Sequence, residues 1–257
     1  MSWTRQEPPT TTRRLIADVT AAAGASVLAA PFVAAIDTAI TKNASGAQSL
    51  LPALRSALWS IRSDPLAYAK GAPFKWLWGL FFATYASANI AETLSVACGV
   101  SPTTPVLAAS TAGNMSMAMA KDAAFAKMYA VAGAAPSKAP LGMFGCFFVR
   151  DLISMAFFFT LPPLLSAELQ QRGAGRTVAD VSSQFLLPVL VQVPNSPWHL
   201  LGLDLYNVPG ATLADRWRRI KPELPMTIAA RAARIVPPFG VGGVANKKLR
   251  AFGHGDL

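Results

Sequence analysis

The stretch LIADVTAAAGASVLAAPFVAAIDTAI, Leu15–Ile40, decides the class of this protein. It is an apolar run of membrane-spanning length, for which about 20 residues suffice. Asp18 sits early in it, and Pro31 is its one helix breaker. Five further segments of comparable length follow: Leu77–Val100, Pro105–Ala130, Leu141–Leu165, Val181–Tyr206 and Met226–Val244. Ala and Gly keep several of them only moderately hydrophobic. The fifth is broken by Pro188, Pro194 and Pro197, and the sixth carries Arg231 and Arg234.

Composition agrees. The 257 residues are 53% hydrophobic and 14% charged, with a mean hydropathy of +0.37. Soluble domains carry about 25% charged residues, so the apolar excess is too large for one packed core. The expectation is an integral membrane protein and an all-α fold. Arg13-Arg14 before the first run resembles a secretory or twin-arginine signal. Asp18 and the length of the run argue against cleavage, as does the equally apolar chain that follows.

The connections alternate. Long ones, Thr41–Trp76 and Asn207–Pro225, follow the first and fifth segments, and both hold amphipathic pieces. In Leu50–Ile61, Leu50, Leu51, Leu54, Leu58 and Ile61 recur at helical spacing with Arg55 and Arg62 elsewhere. Ala211–Ile220 sets Trp217 among Arg216, Arg218 and Arg219, which suits an interfacial helix. The result is three hairpins, each a span, a connection and a second span. Lys and Arg are more numerous in the connections after spans one, three and five, which places those inside and both termini outside.

The net charge of +10 is spread through loops of an apolar chain, without interleaved stacking aromatics. It reads as topology signal and attraction to anionic lipids, such as cardiolipin, or to anionic solutes, and not as a nucleic-acid surface. Cys98 and Cys146 fall inside predicted spans and read as small buried residues. With only His199 and His254, no metal site or cofactor is expected. No nucleophile triad, phosphate loop or carboxylate pair stands out, so no enzyme class is supported.

Three stretches carry a family resemblance. Ser63-Asp64-Pro65-Leu66-Ala67-Tyr68-Ala69-Lys70-Gly71 precedes span two, with a helix-entering glycine and an acid suited to a helix N-terminus. Arg150-Asp151-Leu152-Ile153-Ser154-Met155-Ala156-Phe157-Phe158-Phe159 lies in span four, and Arg234-Ile235-Val236-Pro237-Pro238-Phe239-Gly240-Val241 in span six. With the hairpin layout, these resemble the mitochondrial carrier family. The resemblance implies a single membrane domain over 1–257 after a tail at 1–14. It implies six transmembrane helices in three repeats, approximately 15–100, 101–168 and 179–250, around a central cavity. It also implies a multi-pass protein of a mitochondrial membrane, the inner one, that transports a small anionic metabolite without a cofactor. The departures are specific. That family ends each odd helix with P-x-[Asp/Glu]-x-x-[Lys/Arg], whereas Pro31 is followed by Val33 and Ile36, and Asp37 and Lys42 come late. Span three has Pro105 only at its start and Lys121-Asp122 near its end. In span five Pro197 precedes His199 and Gly202, with Asp204 displaced. The missing gate charges leave an alternative: a carrier that no longer cycles and serves as a structural or adaptor subunit of a membrane complex.

Charges inside a membrane cost about 2.5–3.5 kcal/mol each on insertion scales. Arg150 and Asp151 read either as solute contacts or as a structural pair bridging neighbouring helices. Arg231 and Arg234, three apart, share a face on which both can line a cavity; Arg234 reads as a candidate solute contact, while Arg231 lines the cavity or snorkels to the interface. Asn89 and Glu92 read as cavity-facing or as an interhelical polar contact. The substrate-binding set is Arg150, Asp151, Arg234 and Asn89. Asp18, Asp37, Asp180 and Asp204 read as solvated or capping residues, His199 as a boundary residue, Gly240–Gly243 as a close-packing site and Phe157–Phe159 as lipid-facing bulk.

Overall fold

The computed structural model describes residues 10–131 and 138–255, so the tail at 1–9 and most of the connection between the third and fourth segments lie outside it. The described residues are helical throughout, without strands. Thr10 caps the first helix, α1 (Thr11–Ala44), by accepting from the Arg13 amide. Next come α2 (Leu50–Ser63) and α3 (Pro65–Lys70), the latter capped by Asp64, which accepts from the Ala67 amide at 2.8 Å. α4 (Ala72–Ala97) and α5 (Thr103–Met128) are single rods. The fourth rod is α6 (Leu141–Met155), a π turn at Ala156–Thr160 and α7 (Leu161–Gln171). The fifth is α8 (Arg176–Leu190) and α9 (Gln192–Asn207), interrupted at Val191. The sixth runs through α10 (Leu213–Ala233), a π turn at Pro237–Gly242 and α11 (Gly243–His254). Both π turns sit beside proline pairs, Pro162-Pro163 and Pro237-Pro238, where missing amides loosen the helical ladder.

The rods form a closed ring in chain order, with α11 and its π turn returning to α1. Neighbours run antiparallel: Asp18 at the start of α1 meets Thr93 at the end of α4, and Arg250 late in α11. Asn114 of α5 meets Thr84 of α4, and His199 of α9 meets Arg150 of α6. Small residues let the rods approach. Ala22, Ala25, Ala29, Ala30 and Ala34 of α1 are fully covered. A Cβ on Gly113 would come within 2.8 Å of Ser87 Oγ, so α4 and α5 touch nearly backbone to backbone there. α1, α5 and α9 also approach one another at one end of the ring.

The burial pattern is inverted relative to a soluble bundle. Asp18, Asp37, Lys121, Asp122, Arg150, Asp151 and Arg231 are buried, while Val27, Leu28, Phe32, Phe148, Leu152, Leu164 and Phe185 face outward. An apolar exterior around a charged interior is what lipid imposes, because charges must then face the bundle. Among the described residues two helical stretches, Thr11–Ala44 and Leu141–Gln171, are long and apolar enough to cross a membrane. The six-span expectation goes beyond these two: the other rods carry more polar and charged residues, some buried, such as Lys121, Asp122 and Arg231, and some exposed, such as Lys127, Gln184 and Lys221.

Several expectations are corrected here. Cys98 is exposed at the end of α4, where the helix has already stopped; Cys146 is buried. The helix expected at Leu50–Ile61 does form, as α2, with Leu50 and Ala53 buried and Leu51, Leu58 and Trp59 exposed. The expected short helix at Ala211–Ile220 is the first part of the longer α10, capped by Thr212. The expected lipid-facing run is divided. Phe158 lines an internal cavity, and the side chain of Phe159 lies outside the described residues.

Candidate functional site

Six charged side chains from four rods form a continuous chain at the centre of the ring. Arg234, at the end of α10, pairs with Asp37 Oδ1 of α1. Asp37 Oδ2 takes Lys121 of α5, which also pairs with its neighbour Asp122 at 2.6 Å. Asp122 Oδ2 pairs with Arg150 of α6, and Arg150 reaches its neighbour Asp151 through Nε at 2.8 Å. Adjacent residues on a helix project about 100° apart, so Arg150 joins Asp151 only by folding its long side chain back, resting over Phe147. His199 Nδ1 of α9 lies 3.0 Å from the same guanidinium, with its ring 5.7 Å from that of Phe147.

All members of the chain except Asp37 line a cavity of about 120 Å³, together with Ser154, Gln192, Arg231 and apolar side chains from α1 and α4. Two charged groups there are left incomplete. Arg231 is 1% exposed; its Nε donates to Gln192 Oε1 at 3.0 Å, but its Nη1 is buried without a partner. Asp151 Oδ2 is likewise buried without one. An unsatisfied buried polar atom costs about 1–3 kcal/mol, and more when charged. Such a cost at two opposite charges in one cavity marks a place that something else completes. A second chamber of about 290 Å³ adjoins the first through the shared walls Phe81, Asn114, Met155, Phe158 and Pro238.

Of the expected binding set, Arg150, Asp151 and Arg234 come together in this cavity, and Arg231 lines it without snorkelling. Asn89 does not. It lies near the other end of α1, where its amide exchanges hydrogen bonds with Asn246 at 2.9 Å and donates to the Asp18 carbonyl. There Asp18 Oδ1 accepts from Arg250 at 2.6 Å and His254 at 2.9 Å, and its Oδ2 accepts from Thr93. Arg250 also pairs with Glu92 at 2.6 Å, beside a water-accessible recess of about 380 Å³.

Sequence reasoning missed Asp37 and His199, and misread Asp18 and Asp204. All four were expected at solvated ends or boundaries; all are buried. Asp204 is held by Arg216 and by Arg219 at 2.8 Å. Asp180 is the exception: it stays half-exposed, with Arg176 3.9 Å away. The signal for Asp37 was its distance from Asp18. Nineteen residues at 1.5 Å put them about 28 Å apart, close to a bilayer core of roughly 30 Å. The premise of a gate lacking its charges falls with this: Asp37 and Lys121 pair despite their offset from the expected spacing.

A family model described as "Probable citrulline exporter" matches residues 21–253, and the chain therefore belongs to that family. Among curated proteins none matches the chain. The match overturns the mitochondrial carrier assignment, and with it the ground for a mitochondrial location. The stretches behind that assignment perform local chemistry that many helical membrane proteins need. Asp64 caps a helix, Arg150-Asp151 is an internal ion pair, and Pro237-Pro238 opens a π turn. An exporter family implies a membrane protein, in agreement with the inverted burial.

Proposed function

We propose that this member of an exporter family moves a small zwitterionic amino acid, with citrulline as the first candidate, through a ring of six membrane-spanning rods. One observation carries the reading: Asp151 and Arg231, which line one small cavity, each keep a buried polar atom without a partner, Oδ2 and Nη1. An α-ammonium supplies the donors that Asp151 lacks, and an α-carboxylate accepts from Arg231 and the neighbouring Arg234. A purely anionic solute, expected from sequence, leaves Asp151 unsatisfied and repelled. The cluster holds the buried Lys121, Arg150 and Arg231 and the partly buried Arg234 against Asp37, Asp122 and Asp151. It is nearly balanced, as a zwitterion site needs to be.

The same arrangement supplies a gate. Lys121, Asp122 and Arg150 tie α5 to α1 and α6 on one side of the cavity. Asp37 belongs to that barrier through Lys121 and to the cavity wall through Arg234. A carboxylate that draws Arg234 away weakens the hold on Asp37, so loading and opening share a residue. Prolines at the two π turns and at α8–α9 give the even and odd rods places to bend.

The test is uptake of labelled L-citrulline into proteoliposomes holding the full chain, with D151N and R231M alongside. Uptake by the wild type, reduced about tenfold or more in each variant (about 1.4 kcal/mol,), supports the reading. Wild-type liposomes that carry no α-amino acid, or variants that transport normally, refute it.

A further inference from the structure

We propose that the second chamber reads the cargo's side chain and selects a neutral, donor-rich end over a cationic one. This rests on the zwitterion reading of the first chamber. The two chambers share Asn114, so a side chain leaving an anchored α-carbon passes directly into the second. Among the described residues no acid or base lines that chamber; its polar groups are Thr84, Tyr85, Ser110, Thr111 and Asn114.

The protein has already spent several of their hydrogens. Thr84 Oγ1 donates to the Leu80 carbonyl at 2.8 Å, Ser110 Oγ to the Val106 carbonyl at 2.7 Å and Tyr85 Oη to the Pro238 carbonyl at 2.8 Å. The Asn114 amide donates to Thr84 Oγ1 at 3.0 Å. Once hydroxyls have donated, what they offer a guest is lone pairs. A ureido or carboxamide end brings N–H donors that match. A guanidinium or ammonium brings donors too, but its charge meets no carboxylate, and an uncompensated buried charge is far costlier than a neutral polar group. An aliphatic end leaves the acceptors unused.

The experiment measures binding of L-citrulline, L-arginine and L-norvaline to the full-length protein in lipid nanodiscs. Wild type is expected to bind citrulline at least about tenfold more tightly than arginine, with norvaline weaker than citrulline. In N114D the new carboxylate is expected to move the arginine-to-citrulline ratio about tenfold or more toward arginine. N114L, checked for folding by thermal unfolding, is expected to keep norvaline binding and lose the preference for citrulline. Equal wild-type affinities for the three overturn the chamber's role while leaving the zwitterion site standing. An unshifted ratio in folded N114D also overturns it. No binding of any of the three by wild type overturns both readings.

Discussion

α1 carries two buried carboxylates, Asp18 and Asp37, and the ring treats them differently. At Asp18 both oxygens are taken, by Arg250 and His254 on one and Thr93 on the other. Arg250 is in turn completed by Glu92, Thr93 and the Asn89 carbonyl. Asp37 is also doubly paired, but the chain of charges it belongs to ends in Asp151 Oδ2, which has no partner, and Arg231 Nη1 is left without one in the same cavity. Both clusters bind α1 to the sixth rod. The first is closed and reads as a clamp between the beginning of α1 and the end of α11. The second is open, and reads as a site. Burial and charge alone do not distinguish them; what does is that the unpartnered atom beside the clamp, Arg14 Nε, lies outside its network, whereas Asp151 Oδ2 belongs to the second.

The comparison can be broken by substitution. The largest effect belongs to the clamp. D18A leaves Arg250 and His254 facing an empty space, and thermal unfolding in detergent should show a loss of about 3–5 kcal/mol. If D18A melts like wild type and loses citrulline binding instead, the assignment of clamp and site is reversed. Next comes packing beside the site. A Cβ on Gly242 would fall 2.5 Å from Tyr85 Oη and 2.9 Å from Ala29 Cβ. G242A should therefore lose about 1–3 kcal/mol, part of which Y85F returns by removing the hydroxyl. At the site, R231M removes a buried charge that is only partly satisfied. Its stability should change by less than about 1 kcal/mol or rise, while calorimetry should find citrulline affinity at least about tenfold weaker. The smallest effect belongs to the exposed pair Arg172–Glu168, where R172A should stay within about 0.5 kcal/mol of wild type.

Helical content and membrane character were legible in the sequence because both follow from long apolar runs. Rod boundaries were nearly as legible: the segment Leu15–Ile40 sits inside α1 and Leu141–Leu165 within the fourth rod. Arg150, Asp151 and Arg234 were found because a charge in an apolar run is conspicuous. Asp37 was set aside because it lies close to the end of its run, where a solvated carboxylate is the ordinary outcome. Only the third dimension reveals that α1 extends past it to Ala44 and that Lys121 and Arg234 converge on it. Asn89 took the second of its two readings, an interhelical polar contact with Asn246 and the Asp18 carbonyl, and its place outside the cavity has the converse reason. It sits on the inward face of α4, as expected, but nearer the Asp18 end than the cavity. A position on a face says nothing of depth until the neighbouring rods are in register. The family resemblance failed because capping residues, proline turns and internal ion pairs are general solutions to helical packing.

The double attachment of Asp37 has a bearing on idling. A transporter whose latch is independent of its cargo can cycle empty and dissipate the gradient it serves. Here, on the proposed reading, the latch is held by the same carboxylate that steadies the empty cavity wall. Without cargo, opening must separate Asp37 from Lys121 and Asp122 from Arg150 where water cannot compensate them. Economy of parts thus becomes resistance to slippage: the turn without a passenger is the slow one.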